Sequence, residues 1–146
     1  MKSLAVNTIK SFEISKALNN WSMRRRKLEG VIQQGECFRD AIDVLVHLNG
    51  QGYYVEGWGV SNIGFPVEHA WVVFHHEVID VTWEADDLGE CKYYPTIAVS
   101  FNRITNSGGY STPLVYDRKA LKRLGMSPLM VQEAHQAHLY RLIEMK

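Results

Sequence analysis

The stretch His69-Ala70-Trp71-Val72-Val73-Phe74-His75-His76-Glu77-Val78-Ile79-Asp80-Val81-Thr82-Trp83 decides the fold. Two apolar runs, Ala70 to Phe74 and Val78 to Trp83, are separated by His75, His76 and Glu77, which reads as an antiparallel hairpin. His69 opens the first strand and Asp80 lies near the end of the second. A turn centred on His75-His76 pairs His69 with Thr82; a register one residue pair earlier pairs it with Asp80. In either register His69 and Asp80 share a sheet face, because side chains alternate with a period of two. An imidazole and a carboxylate so placed can hydrogen-bond, which fixes the ring tautomer and stabilises the imidazolium.

Upstream, Gly35-Glu36-Cys37-Phe38-Arg39-Asp40-Ala41 carries a cysteine out of a glycine-flanked turn. A helix is expected from Glu36 to Leu48, with Phe38, Ala41, Ile42, Leu45 and Val46 on a broad apolar face and Asn49-Gly50 as its stop. Cys37 then stands in an opening helical turn, where unpaired N–H groups and the helix dipole favour a thiolate. The same amides suit the oxyanion that forms when a carbonyl is attacked. Thiol, imidazole and carboxylate together make a complete acyl-transfer apparatus.

These blocks resemble the transglutaminase-like superfamily, a papain-related group. Gly35-Glu36-Cys37, Asp40-Ala41, Gly52 and Tyr54-Val55-Glu56-Gly57-Trp58 are similar to its cysteine motif and following strand. His69-Ala70-Trp71-Val72-Val73 and Val78-Ile79-Asp80-Val81-Thr82-Trp83 are similar to its histidine and aspartate strands. The resemblance covers about residues 34 to 84 and departs from the family in a short turn and in Val81, where proline is frequent. It implies Cys37 as nucleophile, His69 as general base and acid, and Asp80 as orienter. It also implies a side-chain donor to the oxyanion hole, for which Gln33 and Gln34 are the available amides. Trp71 and Trp83 are candidates to line a substrate cleft, with core packing the competing reading. The superfamily holds transglutaminases, peptidases, amidases, deamidases and members without activity, so the expected substrate is a peptide or protein amide or a small amide.

The rest of the chain frames an α+β domain spanning residues 1–146, with N-terminal helices on an antiparallel sheet followed by C-terminal helices. Ile9, Phe12, Ile14, Leu18, Trp21 and Leu28 predict a helix from about Thr8 to Glu29. Tyr53 to Val60 and Tyr93 to Phe101 read as further strands, with Gly57 and Gly59 marking a bend or bulge. Asn106 to Pro113 reads as a surface loop. Asp117 caps a helix from Arg118 to Leu124, and Ser127-Pro128 opens a last one to about Met145, with Leu129, Val131, Leu139, Leu142 and Ile143 as core candidates.

Sixteen basic and sixteen acidic residues give zero formal net charge, which argues against a nucleic-acid or anionic-membrane partner. Arg24 to Lys27 then reads as a solvated helix end. No apolar run approaches membrane-spanning length and Met1 to Lys10 lacks a signal-peptide core, so a cytoplasmic location is expected. There the two cysteines, Cys37 and Cys91, are free thiols, Cys91 with a structural role. His135 and His138 share a helix face, but no local carboxylate or thiol completes a ligand set, so neither metal nor cofactor is expected.

Overall fold

The computed structural model describes residues 37–61, 64–75, 77–80, 82–83, 91–107 and 113–144. The expected first helix, Arg24 to Lys27, Gln33, Gln34 and most of the 106–113 loop lie outside them. The elements run α1 (Cys37–His47), β1 (Tyr53–Val60), β2 (Pro66–Phe74), β3 (Glu77–Ile79), β4 (Lys92–Ser100) and α2 (Phe101–Ser107). A 3-10 turn (Leu114–Tyr116), α3 (Arg118–Arg123) and α4 (Pro128–Glu144) follow. The strands form one antiparallel sheet in the order β3-β2-β1-β4, giving an α+β architecture.

α1 buries Cys37, Asp40, Ala41, Val44 and Leu45, spaced three and four apart as one helical face requires. It stops where Asn49 and Gly50 turn left-handed at φ 57° and 76°. Their amides satisfy the last carbonyls, Asn49 to Val46 at 3.0 Å and Gly50 to Leu45 at 2.8 Å. α3 ends the same way on Gly125, and Asp117 caps its start by accepting from the Ala120 amide at 3.0 Å.

One face of the sheet carries Tyr54, Ala70, Val72, Ile79, Ile97 and Val99. It packs against Ala41, Val44 and Leu45 of α1, Ile104 of α2, Leu114 and Val115 of the 3-10 turn, and Leu121 of α3. Farther along, Trp58 and Tyr94 meet Leu142 of α4. The other face carries a smaller cluster of Val55, Trp71, Val78 and Tyr93, with Trp83 and Cys91 against it.

Several sequence expectations need correction. The aspartate strand ends at Ile79, not Trp83, because the Asp80 carboxylate accepts the Trp83 amide at 3.2 Å and starts a helical turn there. β2 begins at Pro66, so His69 lies inside the strand, paired across to Gly57, and does not open it. Pro95 lies within β4, tolerated in an edge strand beside a bulge where Thr96 is the extra residue between the Gly57–Pro95 and Glu56–Ile97 pairs. Phe101 starts α2 instead of ending the strand, and Asn106 is helical. On α4, Leu129 and Ile143 face solvent while His135 is buried. Among the described residues no helix is long and apolar enough to cross a membrane.

Candidate active site

β2 and β3 pair Val72 with Ile79, Val73 with Val78 and Phe74 with Glu77, the register of a turn centred on His75-His76. Carried one step on, that register sets Asp80 opposite Trp71, two residues from His69 and on the same face. The His69 Nε2 and Asp80 Oδ2 atoms are 2.7 Å apart, and both side chains are almost wholly buried. A carboxylate only accepts, so Nε2 carries the proton and Nδ1 is the nitrogen available to another partner.

The Cys37 thiol is a hydrogen-bond and electrostatic neighbour of the His69 ring. Cys37 is the first described residue of α1, and Asp40 one turn later accepts from the Thr82 hydroxyl at 2.8 Å. This bond ties the start of the helix to the segment just beyond Asp80. Burial alone would lower the His69 pKa. The Asp80 charge and hydrogen bond, joined by Cys37, outweigh that and push it up to about 9.

The surroundings hold the pair tightly. Asp80 Oδ2 also accepts the Tyr93 hydroxyl at 2.7 Å, while Oδ1 takes the Trp83 amide. The Trp83 indole stacks on the His69 ring with centroids 3.9 Å apart and planes 13° from parallel. Room for it comes from Gly59, where a Cβ would lie 2.4 Å from the indole. Of the two cleft candidates, Trp83 therefore covers the imidazole. Trp71 is core, 1% exposed, although its Nε1 finds no acceptor among the described residues.

Sequence reasoning missed Tyr93, Tyr54 and Glu56. The register between β1 and β4 is broken by the bulge, so no pattern could show that Tyr93 faces Gly59 on the site side. Glu56 is buried on the opposite face, where its carboxylate accepts the Leu114 amide at 2.7 Å, the Val115 amide at 2.9 Å and the Tyr54 hydroxyl. Burial is the largest influence on Glu56 and raises its pKa to about 7 against the pull of those donors. Tyr54 in turn lies within electrostatic range of Cys37.

His135, weighed as a metal ligand, is held by hydrogen bonds instead. Thr96 Oγ1 meets Nδ1 at 2.7 Å, Glu68 Oε1 meets Nε2 at 3.2 Å, and Trp58 stacks on the ring at 4.4 Å. Burial pulls its pKa down, so it sits neutral, accepting from Thr96 and donating to Glu68. Among the described residues no group of three or more metal-ligating side chains gathers. Cys91 is a half-buried thiol, in no disulfide, against the aromatic cluster. The chain matches no family model, no curated protein and no solved structure.

Proposed function

We propose that this protein is a transglutaminase-like cysteine enzyme that cleaves amide or carboxamide bonds through a thioester. The observation that carries this reading is the His69 ring, bonded through Nε2 to Asp80 at 2.7 Å and neighboured by the Cys37 thiol. His69, with a pKa of about 9, already carries the thiol proton in the resting pair, and Cys37 Sγ attacks the carbonyl carbon as the thiolate. As the tetrahedral intermediate collapses, the C–N bond breaks and His69 returns that proton to the departing amine or ammonia. Water, deprotonated by His69, then attacks the thioester, and the acid and the free thiol are released. Asp80 holds the tautomer and stabilises the imidazolium in both halves of the cycle. The side chains complete the chemistry without a cofactor. A lysine amine in place of water would make the enzyme a transglutaminase, and a cytoplasmic, reducing setting would keep both thiols free.

A second reading is favoured by the burial of Cys37, 5% exposed, and His69, 2% exposed: a binding module that retains the site without turnover. Intact-mass analysis after incubation with mixed peptide amides separates the two. The enzyme forms an acyl adduct on Cys37 or releases ammonia, and both signals vanish in Cys37→Ala and His69→Ala. A chain that yields neither product nor adduct is the binding module.

A further inference from the structure

Asp80 is held by more donors than the orientation of one imidazole requires, and the extra donor comes from the far side of the sheet. β3 and β4 are opposite edges, yet the Tyr93 hydroxyl of β4 reaches the carboxylate that follows β3 at 2.7 Å. Tyr93 pairs with Gly59 of β1, and Gly57 and Gly59 present no side chains on this face. Their bare backbone already accommodates the close approach of β4 and of Trp83. The Tyr93 ring lies 5.0 Å from Trp71 and 6.0 Å from Trp83, packing that a phenylalanine would reproduce. The hydroxyl is the one part of the side chain that this packing does not require. Burial and the Asp80 charge raise its pKa, so it remains a donor throughout the working pH range.

We propose that Tyr93 is a positioning residue of the Cys37, His69 and Asp80 site, its hydroxyl fixing Asp80 Oδ2 on His69 Nε2 and drawing off part of the carboxylate charge. The role in catalysis rests on the reading of His69 as general base given above. One oxygen shared between two donors, both at 2.7 Å, serves each less fully than it would serve either alone. Tyr93 thus tempers the pull of Asp80 on the imidazole, most strongly when the ring is neutral and the carboxylate charge is otherwise uncompensated. The titratable groups around the ring are Asp80 after β3, Cys37 at the start of α1 and Tyr93 on β4, with Cys91 beside the Tyr93 hydroxyl.

The test is a ring-nitrogen NMR titration of His69 in the full chain and in Tyr93→Phe, alongside the pH profile of Cys37 alkylation by iodoacetamide. The His69 midpoint should rise by about half a pH unit in the variant, with the alkylation profile moving in step. An unchanged midpoint in a folded Tyr93→Phe overturns the proposal. Should that variant fail to fold, the unmodified chain decides. Its Tyr93 hydroxyl proton should be protected from exchange and shift as His69 titrates, and a resonance indifferent to that titration overturns the proposal equally. A moved midpoint beside an inert Cys37 upholds the positioning role and sinks only the hydrolase reading.

Discussion

His69 Nε2 lies 2.7 Å from Asp80 Oδ2, and the same carboxylate takes two further donors, the Tyr93 hydroxyl and the Trp83 amide. Three donors converge on two oxygens. Asparagine has a single acceptor oxygen, so in Asp80→Asn at least one donor must face an amide NH2 or lose its bond. The variant should fold, because its shape is conserved, but turnover should fall by about 10³–10⁴-fold as the ring loses its tautomer and its counter-charge. Thermal melting and a rate assay on the purified variant check this. Normal melting with full activity would remove Asp80 from the site.

The raised pKa of His69 makes stability depend on pH in a set direction. The unfolded ring titrates near 6.5 and the folded ring near 9, so the folded state binds the proton more tightly between those values. The contribution is fully present below pH 6.5 and is lost as pH rises through about 9. Unfolding free energy should therefore fall across this window, with a slope no steeper than ~1.4 kcal/mol per pH unit from this group. Glu56, raised to about 7 from 4.5, has the same sign at lower pH, losing its contribution between those values. Denaturant titrations at pH 7.5, 8.5 and 9.5 isolate the His69 window, and His69→Gln should flatten it. An equal slope in the variant would assign the effect elsewhere.

The strand and helix cores were legible where one residue type repeated on one face. Tyr53 to Val60 is aromatic and β-branched, and it forms β1 over those same residues. The His69 and Asp80 relationship was legible because parity survives either register of the hairpin. What escaped depended on partners distant in sequence. Nothing local marks Glu56 as buried; its partners, the Leu114 and Val115 amides, lie 58 and 59 positions away. Leu129 and Ile143 read as core on α4, but the buried side includes His135, made acceptable there by Thr96 and Glu68. Hydropathy carries no signal for a histidine whose donors and acceptors are all met. The early end of β3 has a local origin instead: Asp80 turns its own backbone by accepting the Trp83 amide.

The two glycines of β1 should fail differently when substituted. A Cβ at Gly57 would lie 2.2 Å from the backbone oxygen of Tyr94, and a rigid strand cannot yield that distance. Gly57→Ala should therefore break the β1–β4 pairing and cost at least the ~1–3 kcal/mol typical of overpacking. At Gly59 the obstacle is the Trp83 indole, a side chain able to swing away. Gly59→Ala should leave the sheet intact, expel Trp83 from the His69 ring and change tryptophan fluorescence. Far-UV dichroism and emission spectra of the pair distinguish the outcomes; loss of the sheet in Gly59→Ala alone would contradict them.

The sharpest contest is between the two thiols. Cys91 is half-buried and Cys37 nearly closed off, so access alone favours alkylation of Cys91. Chemistry favours Cys37, beside an imidazolium whose charge attracts the thiolate. At pH 6 in native buffer, iodoacetamide followed by peptide mapping should find Cys37 modified faster, by about tenfold or more given the steep dependence of rate on thiolate fraction. His69→Ala should reverse the order by removing the imidazolium charge without exposing Cys91 further. If Cys91 reacts first in the unmodified chain and His69→Ala changes nothing, the buried Cys37 thiol is a packing residue and the binding-module reading takes its place.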